Sequence, residues 1–285
     1  MIFKRFLIAL AANVLLGCAA FVTHTSPPDS FYSAKIQQLL PADALLLGEQ
    51  HDAPDHQRLH LLTVKALIAQ QTLAALALEM ASAGQSTEKL SPEATDTQAR
   101  EALQWKNDSW PWATYGPIVM TAVRAGVPVV GANIVATGMK DIMRNTRFDT
   151  LLGGPALKAQ QQNIRSGHCE MLPESQISPM TRIQIARDVS MADTLVKLAI
   201  PGKTVLLLAG RGHVDRLLGV AQHLPPGFKA KTVLLGATLE LDATEDIASF
   251  DQTWPAQPAP EVDYCANFAA SRSPPAATST PSQAP

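Results

Sequence analysis

Short apolar runs alternate along this chain with longer segments of mixed polarity. Residues 44–47, 73–78, 127–133, 204–209 and 231–235 are apolar runs of four to seven residues, the length of buried strands. Helical segments are expected between them. Residues 31–40 halt before Pro41. A second segment opens at Asp52 with Pro54 close behind and runs to about residue 70. Others cover 118–125 (stopped by Gly126), 139–148, 178–200 (opened by Ser178-Pro179) and 213–225. Residues 81–108 are polar and helix-prone, and read as an excursion over the sheet's edge. Strand alternating with helix predicts an α/β fold with a mostly parallel central sheet and helices on both faces.

Four of the predicted strands end in polar groups. Leu45-Leu46-Leu47 runs into Gly48-Glu49-Gln50-His51, the second strand into Glu79, the third into Asn133, and Leu206-Leu207-Leu208-Ala209 into Gly210-Arg211-Gly212-His213. The carboxyl edge of an open parallel sheet is where ligands sit. Ionisable groups are costly to bury without partners, so four of them with an amide on one edge signal a site rather than packing. Glu49, His51, Glu79 and His213 suit a divalent transition metal such as zinc with an open position, Glu49 or Glu79 then serving as general base of a hydrolase. The other reading is a polar floor beneath a larger ligand.

Three further patterns carry paired readings. His56 and His60 stand four apart and share a helix face, which is a metal spacing if other ligands join, and otherwise a pair of solvated side chains. Trp105, Trp110 and Trp112 place three of the four tryptophans within eight residues, as a packed corner or as the wall of a flat-ligand pocket. Met180, Gln184, Arg187 or Asp188, and Met191 share one face of a long helix, as a pocket wall or as ordinary solvated surface.

The amino terminus changes the setting. Met1-Ile2-Phe3-Lys4-Arg5 precedes an apolar run too short to span a bilayer, as in a secretory signal. Leu15-Leu16-Gly17-Cys18 resembles a bacterial lipobox, which implies lipidation at Cys18, a signal peptide over 1–17 and, with Ala19 following, outer-membrane sorting. A tether over 18–30, one domain over 31–270 and a disordered Ser/Thr/Pro/Ala tail over 271–285 complete the expected organisation. Net charge of −2 with 17% charged residues offers no basic patch for nucleic acid. Beyond Cys18, Cys169 and Cys265 remain. In an oxidising compartment they are expected to pair, pinning the carboxyl-terminal segment to the middle of the chain; the alternative is two buried or metal-facing thiols.

Taken together, Gly48-Glu49-Gln50-His51-Asp52, Leu78-Glu79-Met80, the His168-Cys169 loop followed by Gln184 and Arg187-Asp188, Gly210-Arg211-Gly212-His213, and Tyr264-Cys265 resemble the ChaN family over residues 44–265. That family comprises haem-binding, iron-regulated bacterial lipoproteins. The paired Gly-x-x-His motifs are also similar to the wider superfamily of Tiki and TraB proteins and erythromycin-esterase-like hydrolases. The resemblance implies haem binding at the outer membrane in service of iron uptake, by a binding protein rather than an enzyme. Haem needs an axial ligand, an apolar slot and cations for its propionates. His168, Tyr115 and Met171 are the candidate ligands, and Arg165, Arg187 and Arg211 the candidate propionate partners. Tyrosine ligation would suit a ferric-haem carrier, and Tyr32, Tyr115 and Tyr264 are the three tyrosines, Tyr32 in the tether region and Tyr264 beside the cysteine pair. An outer-membrane haem receptor and a second copy of the chain sandwiching haem are the implied partners.

Overall fold

The computed structural model describes residues 26–236 and 248–272. The expected signal peptide, Cys18 and the tail beyond 272 lie outside the described residues. Six strands form one sheet: β1 (Ala44–Glu49), β2 (Leu73–Ser82), β3 (Val129–Asn133), β4 (Thr204–Gly210), β5 (Ala230–Gly236) and β6 (Gln252–Pro255), in the order β3-β2-β4-β1-β5-β6. Every strand pair is parallel, so the α/β reading holds.

The strands' near-continuous apolar sequence follows from cover on both faces. Leu45, Leu47, Leu76, Leu78, Leu206 and Leu208 pack on one side against α1 (Asp29–Leu39), α2 (Pro54–Ala69) and α4 (Trp112–Arg124). Leu46, Ala75, Ala77, Val205 and Leu207 pack on the other, against α7 (Glu174–Leu198) and α8 (Arg211–Val214). Two neighbouring strands, β1 and β4, therefore send the chain to opposite faces, β1 into α2 and β4 into α8. The crevice between their carboxyl ends is the switch point where such sheets place ligands.

Several boundaries differ from the sequence reading. The long helix starts at Glu174, not at the Ser178-Pro179 signal, and carries Pro179 inside it. Pro173 supplies the N-cap position, and Pro179 falls in the second turn, where only one backbone bond is forfeited. The helix expected over 213–225 is a single turn, α8, followed by a 3-10 turn at Val220–His223. Tyr32 is not in a tether: it is fully buried in α1, its hydroxyl donating to the Pro255 carbonyl at 2.7 Å. The helix-prone excursion over 81–108 contains α3 (Asp96–Ala102), held by a capping box between Thr95 and Gln98, and three elements were not anticipated: α6 (Gly154–Gly167), β6 and α9 (Tyr264–Arg272). Among the described residues no helix is long and apolar enough to cross a membrane.

Candidate functional site

Strand alternation decides where the edge carboxylates point. Glu49 continues the Leu45, Leu47 register toward α2 and α4. Glu79 continues the Ala75, Ala77 register toward α7. They face opposite sides of the sheet, and His51, in the turn after β1, joins them over its end. His51 Nδ1 lies 2.7 Å from Glu49 Oε1, and Nε2 lies 3.8 Å from Glu79 Oε2. Two glycines make room for this. A Cβ on Gly210 would stand 3.1 Å from His51 Nε2, and one on Gly48 would press on Arg211 and Val214 at 3.2 Å.

Glu49 is fully partnered. Tyr115 donates its hydroxyl to Oε1 at 2.7 Å and Gln57 donates its amide to Oε2 at 2.9 Å. Burial works against its ionisation, but the His60 and His51 imidazoles and the Tyr115 hydroxyl outweigh that and hold the carboxyl below its usual pKa. Glu79 accepts the Gly210 N–H at 2.7 Å and lies 3.4 Å from His213 Nε2. Burial opposes its charge too, yet His213 and His51 bring its pKa down to about 2. His213 Nδ1 meets Asp188 Oδ1 at 2.6 Å, and the Gln184 amide lies 3.1 Å from the same nitrogen. Against burial, Glu79 and Asp188 push the His213 pKa up to about 10, whereas burial raises Asp188 to about 6. The result is one chain of alternating charge, Asp188–His213–Glu79–His51–Glu49, in which only His51 reaches solvent, edged by the Trp110 ring 4.7 Å away.

The structure thus brings Glu49, His51, Glu79 and His213 together, each engaged with another. Among the described residues no group of three or more His, Cys, Asp or Glu is disposed to hold a metal ion. Asn133 serves the backbone, donating to the Glu79 carbonyl at 3.0 Å. Gln184 and Asp188 turn inward onto His213, so that helix face is a wall of the site, not solvated surface. His56 and His60 are buried, not solvated. His56 accepts the Gln50 N–H at 2.9 Å and so shapes the turn after β1. The tryptophans are mainly a packed corner: Trp105 donates to the Trp110 carbonyl at 2.7 Å and stacks edge-on with Trp112.

His60 makes a testable statement about acid. Its Nδ1 lies 3.3 Å from Glu49 Oε2 without forming a hydrogen bond, and burial outweighs that carboxylate and lowers the His60 pKa from 6.5 to about 4. The folded protein keeps His60 neutral while the unfolded chain protonates, so the contribution is whole above pH 6.5 and is lost as pH falls through about 4. Replacing His60 with leucine is expected to remove ~3 kcal/mol of the acid-induced stability loss in that window. Urea midpoints at pH 7 and pH 4 check it; an unchanged difference between variant and parent would refute the assignment.

The candidate haem residues fall into two groups. Tyr115 is buried, and burial with Glu49 beside it raises its hydroxyl pKa, so it cannot meet a surface ligand. Arg165 is paired with Glu174 at 2.6 Å, Arg211 is exposed, and Arg187 is half-buried with its Nε unbonded. His168 caps α6 and lies 2.7 Å through Nδ1 from the Ile164 carbonyl, its ring edge-on to Phe268 at 5.6 Å; Met171 is exposed beside it. Cys169 and Cys265 are joined in a disulfide, which brings α9 to this loop. Tyr264, at the start of α9, is half exposed; its hydroxyl donates to Asp52 and accepts from the Gln50 amide at 3.1 Å. Sequence reasoning quoted Tyr264 in the ChaN-like motif and among the three tyrosines but did not make it a candidate ligand. Its signal was adjacency to Cys265, which carries it across to the turn after β1.

The family described as haem-binding uptake, Tiki superfamily, ChaN matches residues 35–224. Among solved structures, "Cofacial heme binding to ChaN of Campylobacter jejuni" matches with a TM-score of 0.67 at 24% identity, covering 79% of this chain and 91% of that one. That likeness shows the fold. The structure of the type III effector HopBA1 matches at a TM-score of 0.42 and 12% identity over 78% of this chain and 92% of the effector, too distant to carry an argument. No curated protein sequence matches.

Proposed function

Because this chain belongs to the ChaN family of haem-binding uptake proteins, we propose that it binds haem on the face where α9 crosses from the His168 loop to the turn after β1, as a carrier in iron acquisition rather than as an enzyme. The observation that carries the site is Tyr264. Tyr32 and Tyr115 are buried with their hydroxyls committed, so Tyr264 is the one tyrosine able to meet an iron. An anionic oxygen suits ferric haem. Asp52, already accepting the phenol's hydrogen, is placed to take the proton when the oxygen binds iron. His168 stands on the same face, and its Nε2 makes no hydrogen bond among the described residues; with Nδ1 donating to the Ile164 carbonyl, the imidazolium form would donate through Nε2 to a propionate. Phe268 and Met171 supply apolar cover.

Lipidation at Cys18 would hold this face at the outer membrane, where a haem receptor is the fitting donor or acceptor. The cofacial haem of the C. jejuni protein suggests two such faces opposed in a homodimer, which sedimentation with and without hemin would reveal. The primary test is hemin titration of the purified protein. A saturable Soret shift at micromolar hemin is expected; no shift would end the haem reading.

A further inference from the structure

We propose that the Cys169–Cys265 disulfide is a redox latch on this face: oxidised, it holds α9 and Tyr264 in place; reduced by a dithiol, it lets α9 and the haem go. The haem half of this rests on the function proposed above.

Helix α9 buries little of itself. Of residues 261–270 only Phe268 is half-buried, and the rest are exposed. A nine-residue helix is shorter than the roughly 12–15 residues an isolated helix needs to be even marginal in water. Its position therefore depends on attachments, among them the disulfide, the Tyr264 hydroxyl on Asp52 with the Gln50 amide, and the edge contact of Phe268 with His168. These noncovalent attachments face solvent, where each is easily exchanged for water. The covalent one closes 96 residues of sequence and makes the others intramolecular at high effective concentration. Without it, α9 hangs from the irregular segment 256–263.

Cys265 is exposed and Cys169 half-buried, so an external thiolate can reach the bond. The exchange balances: a dithiol's thiolate attacks Cys265 Sγ, Cys169 leaves as thiolate and takes a proton, and the second thiol then displaces Cys265. The reductant departs as its own disulfide, having given two electrons and two protons.

Hydrogen exchange on the full chain without haem tests the latch alone. Dithiothreitol, or the Cys169→Ser/Cys265→Ser variant, is expected to speed exchange in residues 257–272 by on the order of tenfold or more, with β1 and β4 unchanged. Unchanged exchange in 257–272 would overturn the latch. Hemin titration of the same samples is then expected to show affinity reduced by on the order of tenfold or more on reduction. Equal hemin affinity in both redox states would overturn the release of haem. If the oxidised protein binds no hemin while 257–272 still loosens, the haem reading fails and the latch stands.

Discussion

Replacing His213 with alanine is expected to cost about 3–5 kcal/mol of folding stability, the penalty of breaking a buried charge network by removing its central cation. Glu79 Oε1 and Asp188 Oδ1 would both lose their charged partner inside the protein, and Asp188 Oδ2 already lacks a hydrogen bond. Since domains are stable by about 5–15 kcal/mol, the variant stands near unfolding at neutral pH. The pH profile should change with it. With its pKa raised to about 10, His213 contributes fully below pH 6.5, and that contribution fades as pH rises through about 10. Glu79, lowered to about 2, contributes fully above pH 4.5 and fades as pH falls through about 2. The pair is strongest between those limits. In the alanine variant both carboxylates favour protonation, so its deficit should shrink on acidification, and adding Glu79→Gln should restore part of the loss. Guanidinium unfolding followed by circular dichroism measures this. A deficit below about 1 kcal/mol at pH 7 would mean the network is not what closes the sheet edge.

Much of that edge was legible in the sequence. A buried parallel strand must be apolar until it ends, so a Glu or His at its last positions is visible as a break in the run. That is how Glu49, His51, Glu79 and His213 declare themselves together. What the sequence does not display is strand order. Placing β4 between β1 and β2 brings the His213 and His51 turns side by side, and alternation then turns Glu49 and Glu79 to opposite faces. His60 was misjudged because a helix covered on both sides loses the periodicity that separates buried from solvated positions. The inward face of Gln184 and Asp188 was visible in its four-residue spacing, but only the partner across the gap, His213, gives it a direction. Helix α9 was not read as a helix because it is only nine residues long, although the expected Cys169–Cys265 bond did place its segment against the middle of the chain.

That bond makes the last expectation sharp. Replacing Tyr264 with phenylalanine keeps the ring and the disulfide and removes one oxygen, and is expected to weaken hemin binding by on the order of 100-fold and to move the Soret band, because the iron loses its ligand. Replacing Asp52 with asparagine leaves the ligand in place and removes its proton acceptor, an outer-shell change worth roughly tenfold or somewhat more. The sign of the pH dependence follows from the same contact. Asp52 raises the Tyr264 pKa above 10.0, so the free protein holds the phenol protonated across the physiological range. Ligation then releases a proton, and hemin affinity should climb by up to tenfold per pH unit in the parent. The phenylalanine variant has no such proton to lose, so its weaker binding should be flat with pH. His168→Ala separates the neighbouring role: without iron ligation through His168, the Soret position should stay that of the parent while affinity falls. A parent-like spectrum and affinity in Tyr264→Phe, with both lost in His168→Ala, would move the iron from the phenol to the imidazole.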